Sequence, residues 1–262
     1  MKPLVEDSFL GHLETLRWHL LRSLIVIFIA SIAWFLAKEI LFKHLILGPT
    51  KIDFWTYTQF CRLGQVFQIQ KFCLQQFPFL LQSRQLTGQF LMHVAASAAA
   101  GLISTSPYII WEAWHFIKPG LLKSEKKQTR AAAFFITVLF FTGILFGYFI
   151  LSPIALYFLA HYQVDSSIQN YFDISSYVST LLTLTLGCGL VFQMPAISYF
   201  LTRARLIKPQ LLRSYRKYAI VILLVLAAVI TPPDPFSQII LVIPLYLLYQ
   251  SSVWISTWAE PK

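Results

Sequence analysis

The chain has 262 residues, of which 57% are apolar and 12% carry charge, and its mean hydropathy is +0.64. A soluble domain devotes about 25% of its residues to charged side chains, so a soluble enzyme, a disordered chain and a small disulfide scaffold are excluded and the solvent is lipid. The net charge of +10 marks loops beside an anionic leaflet rather than a nucleic-acid surface, and the three cysteines show neither metal-ligand spacing nor a framework pattern.

The whole chain, 1–262, reads as a single integral membrane domain. About 20 apolar residues cross the hydrocarbon as a helix, which predicts six spans. An amphipathic lead-in over 5–18 comes first, with Phe9, Leu13, Leu16 and Leu20 spaced for one helical face and Glu14, Arg17 and Arg22 among its charges. Acids stand where a cleaved signal peptide carries bases, and no small-residue cleavage site follows. The first span covers 19–37. A long extracytoplasmic loop over 43–89 is aromatic and Gln-rich and holds Cys61 and Cys73. These two either bridge on the oxidising side, for roughly 3 kcal/mol of chain entropy, or stay unpaired thiols.

The second span, 90–116, ends in Trp111, Glu112 and Trp114. Glu112 is expected to snorkel, with the two tryptophans flanking it as belt residues. The loop 117–130 is basic, with Lys118, Lys123, Lys126, Lys127 and Arg130 around the single acid Glu125. The third span, 131–160, carries Gly143 and Gly147, a spacing that permits a close helix crossing. The fourth, 176–202, contains Gln193, Pro195 and the small packing residue Cys188. A second basic loop, 203–217, leads to the fifth span, 217–231, which is short; Tyr218 to Thr231 rises only about 21 Å. Pro232 and Pro233 turn the chain into the sixth span, 237–256. Two basic loops on one side place both termini in the cytoplasm. Pro107, Pro153, Pro195 and Pro244 interrupt four spans, so the fold class is an all-α membrane protein whose proline-bent helices form a concave, cradle-like bundle.

No zincin, nucleophile-elbow or phosphate-loop motif is present, and the histidines form no i, i+4 pair. The chain is therefore read as no enzyme, with no metal and no cofactor. Glu125 is either a solvated acid paired with neighbouring lysines or a carboxylate offered to a cationic guest, since arginine engages carboxylate through a planar fork. Gln193 either satisfies the Val191 carbonyl that Pro195 leaves free, or offers a polar docking point for another helix. A proton- or ion-coupled secondary transporter working through Glu112 and Gln193 is the alternative function; it lacks an internal repeat, and glutamine carries no proton.

Six blocks resemble the TatC family: His12-Leu13-Glu14-Thr15-Leu16-Arg17; Ser106-Pro107; Trp114 to Leu121 with Glu125-Lys126-Lys127; Phe192-Gln193-Met194-Pro195; Arg213 to Tyr218; and Thr231 to Gln238. The resemblance runs from about residue 9 to residue 256. It implies the multispanning receptor subunit of the twin-arginine translocase, which exports folded proteins across the bacterial cytoplasmic (inner) membrane using the proton motive force. The implied partners are twin-arginine signal peptides, TatA-type and TatB-type single-span proteins, membrane lipid and further copies of the chain, with no nucleic acid. Glu125 would be one of the acids that bind the signal arginines, with Phe116, Leu121 and Lys123 around it, and Arg17 would belong to the same signal-peptide site. Gln193 would be the membrane-embedded polar residue that docks a partner. Pro49, Pro107 and Asp234 match positions that shape loops. The family places its second acid where this chain has Thr15, with Glu14 one residue earlier, a rotation of about 100° around a helix. Either Glu14 reaches the guest, or Glu125 acts with the Thr15 hydroxyl.

Overall fold

The computed structural model describes residues 9–66, 79–117, 129–165, 167, 170–203, 205–231 and 235–259. In chain order, α1 (Phe9–Leu36) is followed by the short α2 (Lys38–Ile40), a π-helical turn (Leu41–Ile46), a 3-10 turn (Gly48–Thr50), α3 (Trp55–Val66) and β1 (Phe79–Gln82). Next come α4 (Gly88–Ile117) and α5 (Thr129–Phe146), which passes through a π-helical stretch (Gly147–Leu151) into α6 (Ser152–His161). Strand β2 (Asn170–Asp173) leads into α7 (Ile174–Val191), then α8 (Met194–Arg203), α9 (Pro209–Ser214), α10 (Arg216–Ile230) and α11 (Pro235–Ala259).

Among the described residues, five helical stretches are long and apolar enough to cross a membrane: Leu13–Leu36, Gly88–Phe116, Ala133–His161, Ile174–Arg203 and Ser237–Trp258. Helix α10, with 15 residues, is not among them. The all-α expectation needs one correction. Strands β1 and β2 pair in parallel, Phe79 opposite Asn170 through to Gln82 opposite Asp173. Both come from segments read as loops, and their separation along the chain hides the pairing.

The chain divides into two compact units, one of residues up to Lys38 with His93–Val138, the other of Glu39–Met92 with Leu139–Lys262. In the first unit residues 9–36, which join the described part of the lead-in to the first span, form one unbroken helix in which no proline falls. Its hydroxyls are satisfied on their own helix, as lipid requires. Thr15 donates to the Gly11 carbonyl at 2.9 Å, Ser23 to His19 at 2.9 Å and Ser31 to Ile27 at 2.7 Å. Helix α4 runs antiparallel to α1: a β-carbon on Gly101 would stand 2.8 Å from the Ser31 backbone nitrogen, while Trp34 Nε1 donates to Ser104 at 3.2 Å and Phe35 stacks on His93 at 4.0 Å.

The second unit has an apolar core around Leu151, Leu184, Leu223, Leu241 and Leu245. Its tightest seam is glycine against backbone. A β-carbon on Gly143 would stand 2.6 Å from the Cys188 carbonyl oxygen, and one on Gly147 2.7 Å from that of Leu184. The two glycines therefore allow α5 to lie directly against α7, and Cys188 is a buried, free packing residue in that seam.

Each proline within a helical run leaves the carbonyl four residues back without its usual donor. For Pro107, inside α4, that carbonyl belongs to Ile103, and Ser106 Oγ donates to it at 2.8 Å. For Pro153 it belongs to Phe149, and the Thr56 hydroxyl takes it. The segment 43–66 is thereby anchored to α6 and the π-stretch before it. Tyr148 donates to the Leu45 carbonyl at 2.7 Å and Tyr177 to that of Ile46 at 2.5 Å. Tyr57 reaches the Pro49 and Pro153 carbonyls at 3.0 and 3.3 Å, and Phe54 stacks on Phe149 at 5.5 Å. Burial pushes the Tyr57 phenol above the usual tyrosine range.

Candidate functional site

One turn before the end of α4 the first unit holds a buried carboxylate. Glu112 is 8% exposed. Its Oε2 accepts from His19 Nδ1 of α1 at 2.5 Å, and its Oε1 accepts from Tyr108 Oη at 2.7 Å. Tyr108, Glu112 and Phe116 follow at four-residue spacing and so share one face of α4. The His19 ring also meets Phe116 edge-on, with centroids 6.3 Å apart. Arg22, three residues beyond His19, places a positive charge within electrostatic reach of Glu112. This contact corrects the expectation that Glu112 snorkels. Its carboxylate is held inward, and of the two tryptophans beside it Trp111 is exposed while Trp114 is buried.

The expected signal-peptide residues fall into two groups. Glu14, Thr15 and Arg17 are exposed on the first turns of α1, and Phe116 is half-buried at the end of α4. Glu125, Leu121 and Lys123 lie outside the described residues, as does Asp234. The Thr15 hydroxyl is engaged with the Gly11 carbonyl, so it presents its methyl rather than a free donor. Pro49 is buried in the 3-10 turn, and Pro107 lies within α4 rather than in a loop.

In the second unit Gln193 sits in the two-residue break between α7 and α8. Its Nε2 donates to the Gly189 carbonyl at 3.4 Å, not to the Val191 carbonyl, one of the two alternatives that the sequence leaves open. Its Oε1 is buried and has no partner among the described residues. An orphaned amide oxygen in hydrocarbon costs about 1–3 kcal/mol. Cys61 is disulfide-bonded, and Cys73 lies outside the described residues.

Two further features of this unit bear on its electrostatics. Asp173 caps α7 by accepting from the Ser175 backbone N–H at 2.8 Å, and it also accepts from the Arg84 backbone N–H at 3.1 Å. The first of these bonds, more than the second, holds its carboxyl below the usual range. A cavity of about 470 Å³ is lined by Ser176, Ser179, Thr180, Thr183 and Thr231 opposite Leu156 and Ile230. Among the described residues its lining carries hydroxyls and no charged group.

Sequence reasoning missed the His19–Glu112 contact because its partners stand 93 positions apart. The available signal was a pair of ionisable residues of opposite kind, each a short way inside a predicted span.

A family model described as Sec-independent protein translocase protein (TatC) matches residues 11–244. The chain is 41% identical over 259 residues to the Sec-independent protein translocase protein TatC of Blattabacterium sp. subsp. Periplaneta americana (strain BPLAN), covering 98% of this chain and 97% of that one. It is 32% identical over 255 residues to TatCy of Bacillus subtilis (strain 168), covering 97% and 91%. A crystal structure of a protein described as the twin arginine translocase receptor TatC superposes with a TM-score of 0.72 at 31% identity, over 95% of this chain and 99% of that one. With the family's model running through both units and a solved relative sharing their fold, the chain belongs to the TatC family and is a membrane-embedded core component of the Sec-independent protein translocase.

Proposed function

We propose that this chain is the receptor for twin-arginine signal peptides. In this reading it lies in the bacterial cytoplasmic membrane with both termini in the cytoplasm, acts as one integral membrane domain, and drives export of folded cargo with the proton motive force. One observation carries the proposal. The His19–Glu112 contact ties the turn of α1 bearing Glu14, Thr15 and Arg17 to the end of α4 bearing Phe116, directly before the chain segment that holds Glu125. Acidic and aromatic groups from two helices are thus gathered at one end of the first unit, the chemistry a pair of guanidinium groups requires. Catalysis has no part in this reading.

The finer architecture belongs to the same proposal. Helix α10 acts as a sixth, short span of roughly 22 Å, around which the bilayer thins. The proline-interrupted helices form a concave wall for the apolar part of the signal peptide, and a Cys61–Cys73 bridge braces the external segment. Gln193, with its orphaned Oε1, accepts a hydrogen bond from a TatA-type or TatB-type helix arriving from the lipid, within a complex that contains further copies of the chain.

The test is site-specific crosslinking of a twin-arginine peptide, with a twin-lysine peptide as control. Glu125→Gln is expected to abolish crosslinking in a folded protein, and unchanged crosslinking at the same salt overturns the receptor reading. Ion flux through vesicles holding the purified chain alone would favour the transporter instead. Gln193→Leu is expected to leave peptide binding intact while weakening co-purification of the single-span partner; full co-purification removes that role.

A further inference from the structure

Two arginines ask for two carboxylates, and the faces of α1 and α4 show where the second one stands. Thr15, His19 and Ser23 follow at four-residue spacing and share a face of α1. His19 of that face meets α4. Thr15 and Ser23 are bonded to their own helix and offer no charge. Glu14 is rotated about 100° from Thr15 and is exposed. The carboxylate on the shared α1–α4 face is therefore Glu112, one turn from Phe116.

We propose that Glu112 is the second guanidinium-accepting carboxylate of the signal-peptide site, with His19 holding one of its oxygens until the guest arrives. The proposal rests on the receptor reading above and names the partner of the second arginine. A carboxylate oxygen has two acceptor sites. Tyr108 uses one on Oε1 and His19 one on Oε2, which leaves an acceptor on each oxygen. A guanidinium presents two parallel N–H donors at the matching spacing, whereas an ammonium offers a single point. His19 is 19% exposed at its side chain, against 11% for Glu112, so the imidazole is the more accessible of the two groups and the one a guest meets first. When the ring swings away, the guest's fork replaces the imidazole donor and the carboxylate loses no hydrogen bond. Among the described residues, the titratable groups facing Glu112 are His19 and Tyr108, with the Arg22 guanidinium farther off; the nearby His115 is turned to the Trp111 carbonyl.

The experiment measures binding of a fluorescent twin-arginine peptide, and of its two single Arg→Lys versions, to the full chain in lipid nanodiscs. Glu112→Gln is expected to weaken twin-arginine binding about tenfold, equivalent to 1.4 kcal/mol, and to erase the Arg-over-Lys preference at one of the two positions only. His19→Gln is expected to bind the twin-arginine peptide at least as tightly as the parent and to keep both preferences. If Glu112→Gln retains both preferences while Glu125→Gln abolishes binding, the inference is overturned and the receptor reading stands. If neither substitution changes binding, both are overturned. Should Glu112→Gln fail to fold, His19→Gln decides, because loss of a preference there assigns the contact to His19 and removes Glu112 from the site.

Discussion

The two units are held together by opposite means. In the second, glycines let α5 and α7 touch backbone to backbone, and no charge takes part. In the first, α1 meets α4 through an imidazole, a carboxylate and a phenol. Burial sets α1 apart from the other spans: 6% of the most apolar stretch within Leu13–Leu36 is buried, against 28% within Gly88–Phe116 and 44% within Ile174–Arg203. Lipid is as apolar as leucine, so close packing must hold helices together where polar bonds are lacking. A helix with as little buried area as α1 depends more heavily on its few polar contacts.

The contrast breaks most visibly at the seam. Gly143→Leu drives a side chain into the Cys188 carbonyl and Gly189, and is expected to cost about 3 kcal/mol; thermal unfolding in detergent should fall sharply. Glu112→Ala is expected to cost about 1–2 kcal/mol and to act locally. Hydrogen exchange should speed up in α1 while α7 keeps its protection, and equal loss in both units would show that the tie is not confined to the first. Next come the hydroxyls that serve the proline-freed carbonyls. Ser106→Ala and Thr56→Val each leave one carbonyl unmet, for about 1 kcal/mol, read as a lowered melting temperature.

The smallest effect is the cap at Asp173. Its carboxyl is held below its unfolded value, so its contribution to stability is fully present above that value, about 3.9, and is lost as pH falls through the lower folded one. Exchange protection at the start of α7 should decline on acidification, and Asp173→Asn should abolish that acid dependence without removing the fold.

The ease of reading the sequence varied from residue to residue within each unit. Gly143 and Gly147 announced a close crossing because small residues one turn apart have few other uses in a span. Their targets, the carbonyls of Leu184 and Cys188, have no signature, since backbone looks alike at every position. Glu112 was misread because its neighbours Trp111 and Trp114 suggest an interface, while the residue that turns it inward lies on another helix. Strands β1 and β2 escaped notice for a similar reason. Four-residue apolar runs become strands only when they find each other. In Gln193 the polar group was legible, but its geometry depended on where the chain broke, and the amide turned to Gly189 rather than Val191. The motif residues Glu14, Thr15, Arg17 and Phe116 were legible along the chain, whereas the inward turn of Glu112 was not, because no local pattern tells that a carboxylate one turn inside a helix faces another helix.

The two proline joints carry a mechanical consequence. At Pro107 the substitute donor is Ser106, a member of the same turn, so the partner travels with the carbonyl and α4 can flex there without losing a bond. At Pro153 the donor is Thr56, on a segment nearly a hundred positions away, and any flexing must first pull that segment along. Tension applied to the residues around Thr56 is thus relayed into the α5–α6 junction, whereas tension on α4 dissipates where it arises.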